Sequence, residues 1–139
     1  MLRRKTSDAA AYDWFWFALD RLRLADLGWK HQGLTAAGIE LLQEAVERLL
    51  KGVLVGSGRK LKRTHDLRVL LREAVEIDAR FGGFSDLARE LTEGFFEVHY
   101  PGGDLTDVGE NYADLRRQAG ELMAIVQELF PKDFPTGTA

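Results

Sequence analysis

The first proline of this chain stands at position 101. Proline lacks an amide hydrogen and its ring clashes with the preceding helical turn, so a stretch without it can form long helices. Apolar residues recur there at spacings of three and four, and no run alternates apolar with polar residues as a half-buried strand would. The sequence therefore predicts an all-α fold, an antiparallel up-and-down bundle of four to five helices.

Capping and breaking residues bound the predicted helices. Ser7 is expected to cap the first helix, and Gly28 to stop it. Thr35 would begin the second helix, and Ser85 would cap the fourth after a turn at two glycines. Pro131 would close the last. The predicted ranges are 7–27, 35–55, 64–81, 85–98 and 110–130, with a loop over 101–109.

Four consecutive aromatic residues, Trp14 to Phe17, lie in the first predicted helix. They cannot all face one core, because an amphipathic helix turns only one stripe of its surface inward. We expect Trp14 and Phe17 on the buried stripe, with Phe15 and Trp16 off it. Some of these rings would then contact a second subunit, which predicts a homodimer.

The composition is typical of one water-soluble domain, expected over residues 1–131, followed by a flexible tail over 132–139. The chain has no cysteine, which excludes disulfides and cysteine nucleophiles and is consistent with a cytoplasmic location. It has no apolar run long enough to span a membrane and no signal-peptide pattern. Its three scattered histidines indicate no metal site, and we expect no cofactor.

Charge is distributed unevenly along the sequence. The net charge is −3, yet residues 59–72 hold six basic side chains and the single acid Asp66. Lys62, Arg63 and Arg68 flank the predicted start of the third helix, where free amide hydrogens and the helix dipole favour anions. The cluster thus predicts a phosphate-binding site. It is also consistent with a solvated connector that only keeps the protein soluble.

Three motifs, in this order, resemble the HEPN family of helical bundles. LQEAVERLLKG over 42–52 is similar to the family's Gln-x-x-x-Glu-Lys-x-x-Lys pattern, with Glu47, Arg48 and Lys51 at its charged positions. RTHDL over 63–67 resembles a Ser/Thr-His-Asp-Leu step into the next helix. FFEVHYP over 95–101 stands where the family has an aromatic pair and Arg-Tyr-Pro, with His99 in place of the arginine.

The resemblance implies a helical bundle that is usually a homodimer. Such domains are encoded beside, or fused to, a minimal nucleotidyltransferase, in toxin–antitoxin-like systems. One group of members is thought to bind nucleotide or substrate as a non-catalytic partner of that enzyme. For this chain, the resemblance and the charge pattern together predict nucleotide or phosphate binding by Lys51, Lys62, Arg63, Arg68, His99 and Tyr100.

Other members of the family are metal-independent ribonucleases that use an arginine, four to six intervening residues and a histidine. Arg59 and His65 are five residues apart in this sense, and Arg63 is a second candidate arginine. A histidine can take the proton from a ribose 2′-hydroxyl while an arginine stabilises charge on the phosphate. A third alternative is a structural helical dimer without a ligand, in which Thr64 to Asp66 only cap a helix.

Overall fold

The computed structural model of the chain describes residues 10–135. Within that range the backbone forms six α-helices and one 3-10 helix and no strand, which confirms the predicted all-α fold. No described helix is both long and apolar enough to cross a membrane. The helices are α1 (Ala11–Gln32), α2 (Ala36–Gly56), α3 (Leu67–Ile77), α4 (Ser85–Val98), α5 (Thr106–Glu110) and α6 (Tyr112–Leu129), with the 3-10 helix (Ala79–Phe84) between α3 and α4.

Helices α1 and α2 form the most closely packed pair. Gly33, with a φ of 72°, ends α1 in a conformation that favours glycine. Helix α2 then begins next to Thr35, close to the predicted start, and Thr35 caps it because its hydroxyl accepts a hydrogen bond from the Gly38 amide. Farther along α2, Gly52 leaves room for the Phe15 ring, which a Cβ atom at this position would overlap. Close approach of the two helices therefore depends on this glycine.

Helix α2 is the central element of the bundle, as its apolar circumference predicts. It packs against α1, α3, α4 and α6. Apolar side chains cover most of its surface, but three polar side chains on it are buried as well. Its fully or almost fully buried apolar residues are Ile39, Leu42, Ala45, Val46, Leu49, Leu50, Val53 and Leu54.

The prediction for α1 was wrong in its end and in its buried stripe. Gly28 lies inside the helix with nothing near its Cα on the side where a Cβ would point, so it does not stop the helix. Phe15 is completely buried and Phe17 is 44% exposed, because the inward stripe runs through Ala11, Phe15, Ala18 and Leu22. The predicted cap Ser7 lies outside the described residues.

Helix α3 is shorter than predicted. Asp66 caps it, and the Leu67 amide donates to Thr92 Oγ1 of α4, at 3.1 Å. The chain leaves the α-helical form after Ile77 and continues as the 3-10 helix, which includes the two glycines expected to form a turn. Ser85 is the first residue of α4 and makes no capping hydrogen bond to it, so its predicted capping role was wrong.

The C-terminal region is more structured than predicted. The loop expected over 101–109 contains most of the short helix α5. Phe134 is only 5% exposed, and its ring stacks on Phe15 with centroids 5.4 Å apart. Phe134, which lies in the predicted tail, therefore belongs to the core. Of the predicted tail, residues 136–139 lie outside the described part.

Candidate functional site

A stripe of polar side chains runs along the buried face of α2. Gln43, Glu47 and Lys51 are spaced by four residues, which places them one above the other on a single side of the helix. Their exposed fractions are 0%, 2% and 7%. Charged residues are almost never buried to this extent unless they are paired. The stripe is therefore a candidate functional site.

Glu47 is the centre of this stripe. One carboxylate oxygen accepts a hydrogen bond from Lys51 Nζ at 2.8 Å, and the other contacts Gln43 Nε2 at 3.1 Å and His65 Nδ1 at 3.0 Å. Burial raises the pKa of Glu47, but the hydrogen bonds from Lys51, His65 and Gln43 outweigh it and hold the pKa below its usual value. Glu47 is thus a buried carboxylate that stays ionised.

His65 joins this buried stripe to the surface. Its backbone carbonyl accepts a hydrogen bond from Gln43 Nε2 at 2.9 Å, while its side chain is 63% exposed. An ionised carboxylate can only accept hydrogen bonds, so the Glu47 contact assigns a proton to Nδ1 of His65. The other ring nitrogen, Nε2, is then directed away from Glu47. We call Gln43, Glu47, Lys51 and His65 the Glu47 cluster.

Aromatic rings continue from His65 along α4. The His65 and Phe95 ring centroids are 5.2 Å apart, and those of Phe95 and His99 are 4.4 Å apart. His99 Nδ1 lies 2.6 Å from the Phe95 carbonyl, and its Nε2 lies 3.4 Å from Glu40 Oε2. The structure therefore brings His99 to the same row as His65. Tyr100, 71% exposed, follows at the end of the row.

Lys51 is the buried end of the stripe and a predicted phosphate ligand. Its ammonium group binds Glu47 and lies 5.8 Å from the centre of the Trp14 ring, a distance that allows a cation–π interaction. Only 9% of its side chain is exposed. Lys51 thus pairs with Glu47 in this conformation, and little of its side chain is open to a ligand.

Arg59 is held away from His65. It donates to Glu76 at 2.6 Å and lies 3.7 Å from Glu73. His65 precedes the start of α3, whereas Glu76 lies near the other end of that helix, about 13 Å along its axis at 1.5 Å per residue. The carboxylate of Glu76 raises the pKa of Arg59 and keeps it charged. Arg59 and His65 therefore do not meet as a catalytic pair in this conformation.

Two other predicted phosphate ligands are also engaged in ion pairs. Lys62 Nζ lies 3.6 Å from Glu73. Arg68 binds both oxygens of the Asp66 carboxylate, at 2.9 and 3.0 Å, and this lowers the pKa of Asp66. Asp66 also accepts the amide hydrogen of Arg68. An anion at the start of α3 would thus have to displace the capping carboxylate.

Arg63 and Lys60 differ from these cations in having no acidic partner among the described residues. Both side chains are exposed, and neither makes an ion pair or hydrogen bond with any residue from 10 to 135. Arg63 precedes His65 by two positions. Of the cationic side chains near His65 in sequence, these two therefore remain available to an anionic ligand. We call residues 59–63 the basic connector.

The sequence-based choice of site residues missed Gln43, Glu47 and Phe95. The signal for the first two was present, because polar residues at intervals of four interrupt an otherwise apolar helix face. Phe95 is part of the FFEVHYP motif, but nothing in the sequence indicated that its ring would contact His65. No group of three or more histidine, cysteine, aspartate or glutamate side chains in the described part of the chain is arranged to hold a metal ion.

Comparison with protein families decides the relationship that the motifs suggest. The model of the HEPN domain matches residues 11–131, which is nearly the whole chain. The chain belongs to the HEPN family. Every member of the Glu47 cluster and of the aromatic row lies within the matched part of this HEPN chain. No significant match occurs among curated proteins or among solved structures.

Proposed function

We propose that this HEPN chain is a nucleotide- or phosphate-binding module and acts as the partner of a minimal nucleotidyltransferase. One observation carries the binding half of the proposal: the buried Glu47 carboxylate accepts from Nδ1 of an exposed His65, so that Nε2 is directed away from Glu47 and, in the protonated ring, can donate to a phosphate oxygen. Membership of the HEPN family supports the partner half.

The surface around His65 offers both groups that a nucleotide needs. Arg63 and Lys60 supply positive charge without a partner of their own among the described residues, and a guanidinium can bind phosphate through two hydrogen bonds. Phe96 and Tyr100 are 51% and 71% exposed, and exposed aromatic rings can stack on a base. A phosphate at Arg63 and His65, with a base toward α4, fits this arrangement.

Binding is favoured over catalysis because of where Arg59 lies. A ribonuclease of the arginine–histidine type needs both side chains at one phosphate. Arg59 is instead paired with Glu76. The remaining candidate, Arg63, is separated from His65 by one residue only, which is shorter than the spacing of the nuclease motif.

Calorimetric titration with ATP tests the binding half. We expect wild-type protein to bind ATP, and we expect His65→Gln and Arg63→Gln each to weaken binding by roughly tenfold, as is usual for losing one charged hydrogen bond. Arg117→Gln is the matched control, because Arg117 is an exposed arginine of α6 that pairs with Asp114 and Glu121. Equal affinity in all four proteins would contradict the proposal.

Co-expression tests the partner half. We expect the chain to co-purify with a minimal nucleotidyltransferase encoded beside its gene. Absence of a complex, at a protein concentration where both proteins are folded, would contradict this part and leave the titration result unaffected.

A second candidate function is metal-independent cleavage of RNA. The observation that favours it is the carboxylate–imidazole contact between Glu47 and His65, since a carboxylate that orients a histidine is common to general-base sites. Here His65 Nε2 would take the proton and Arg63 would stabilise the phosphate. RNA cleavage by wild type in the presence of a chelator, lost in His65→Gln, would establish this function. No cleavage by either protein would reject it for the isolated chain.

A further inference from the structure

A second charged surface lies between α3 and α4. It is a shallow groove of about 300 Å³. Arg68, Leu71 and Arg72 line it from α3, and Ala88 and Arg89 line it from α4. The spacings of three and four residues on each helix place these side chains along the two facing edges.

The rim of the groove is cationic. Arg72 is exposed and makes no ion pair or hydrogen bond in the part of the chain that the structure describes. Arg89 has only long contacts, 3.5 Å to Asp86 and 3.9 Å to Glu93, and its side chain is half exposed. Arg68 is neutralised by its ion pair with Asp66, whose carboxylate also interacts with Arg72. Arg72 and Arg89 are therefore the two guanidinium groups that a ligand can use, and the lining contains one carboxylate, the exposed Asp86.

The floor of the groove is apolar. Leu71 is 6% exposed and Ala88 is 2% exposed, and both belong to the core cluster that lies beneath the groove. Ser85 and Asp86, at the start of α4, close one end. The amide groups of a helix start give this end a partial positive charge. A ligand that complements the groove therefore has an anionic part for the rim and a compact apolar part for the floor.

We propose that the groove between α3 and α4 binds a phosphate monoester, with the phosphate between Arg72 and Arg89 and the esterified group on Leu71 and Ala88. Arginine suits this role because its planar fork matches two phosphate oxygens at once. The site is distinct from the His65 surface and does not rest on the proposed function. It accounts for two arginines that the motifs left without a role.

Titration with phenyl phosphate, followed by the amide signals of a ¹⁵N-labelled sample, tests the site. We expect the signals of residues 85–89 and 71–72 to shift on binding, and a shift at residues 63–67 would report separate binding at the His65 surface. Arg72→Gln and Arg89→Gln should each weaken binding by roughly tenfold. Arg117→Gln is again the matched control, and its signals at residues 71–72 and 85–89 should shift with wild-type affinity.

Two further probes separate the parts of the ligand. Inorganic phosphate should bind at the same signals more weakly than phenyl phosphate, and phenol should not bind, if rim and floor both contribute. Equal affinity for inorganic phosphate and phenyl phosphate would reject the role of the floor. Unchanged affinity in Arg72→Gln and Arg89→Gln would overturn the site. Shifts confined to residues 63–67 would also overturn it, since the ligand would then belong to the His65 surface.

Discussion

The Glu47 cluster and the basic connector are both rich in charge, but the fold treats them in opposite ways. Glu47 is 2% exposed and touches three polar partners. The connector is largely exposed, and its charges either pair at the surface with acidic residues of α3, as Arg59 and Lys62 do, or have no partner among residues 10–135, as Arg63 does. Buried charges set the geometry of a site, whereas exposed ones remain free to bind a ligand. The difference predicts which substitutions alter folding and which alter only binding.

The largest effect is expected for Glu47→Ala. It would leave the Lys51 ammonium buried without its partner, and removing one member of a buried ion pair typically costs about 3–5 kcal/mol. Urea unfolding at neutral pH measures this loss. Glu44→Ala is a suitable comparison, since Glu44 lies on the same helix but is more exposed and pairs with Arg21 and Arg48 at its rim. Similar losses for both variants would contradict the larger contribution of the buried Glu47 to stability.

The next largest effect is expected where α1 and α2 touch. Gly52→Ala places a methyl group inside the space of the Phe15 ring, and overpacking of this kind costs roughly 1–3 kcal/mol. Gly28→Ala is the control, because its Cβ would meet nothing and alanine is favoured over glycine in a helix by about 1 kcal/mol. Thermal unfolding should therefore move in opposite directions for the two variants. A stabilised Gly52→Ala protein would show that the helices are not in close contact there.

A smaller effect is expected from pH. Since the folded protein holds the pKa of Glu47 below its ordinary value of 4.5, the unfolded chain takes up this proton first as the pH falls. The stability contributed by ionised Glu47 is therefore complete above about pH 4.5 and is lost as the pH falls through the lower folded pKa. Urea midpoints measured from pH 7 to pH 3 should show this loss. Glu47→Gln should show a shallower slope, and an unchanged slope would contradict the assignment.

The smallest effect on folding is expected for Arg59→Ala. Its ion pair with Glu76 is at the surface, where salt screens the attraction. The entropy lost by ordering the two side chains offsets most of what remains. The unfolding midpoint should stay within the error of the measurement at physiological salt. A clear loss of stability would mean that the basic connector is as structural as the Glu47 cluster.

The amphipathic periodicity was enough to predict the all-α fold and the central place of α2. It was not enough to set the helix ends. The helix continues through Gly28, which contacts nothing, whereas Gly33 adopts a positive φ that ends α1. It also misassigned Phe15 and Phe17. In a run of four aromatics the hydrophobicity is the same at each position, and only contacts with Gly52 and Phe134 decide which ring is buried.

The site was predictable only in part. His65 and His99 are joined in space by Phe95, which shares the FFEVHYP motif with His99 but has no sequence relation to the step that contains His65. The pairing of Arg59 with Glu76 depends on how the connector runs along α3, and sequence spacing carries no information on that path. Spacing alone therefore predicted a contact between Arg59 and His65 that the structure lacks. The four-residue spacing of Gln43, Glu47 and Lys51, in contrast, correctly indicates that they share one face of α2.

The state of the His65 ring tests the central claim most directly. A ¹⁵N spectrum of the imidazole at about pH 8, where an ordinary histidine is neutral, distinguishes the two tautomers and can be repeated after adding ATP. The account predicts a proton on Nδ1, because Glu47 accepts from it, and a shift of the Nε2 signal when ATP binds, because Nε2 must take up a proton to donate to a phosphate oxygen. A proton on Nε2 instead, or an Nε2 signal unchanged at saturating ATP, would contradict it.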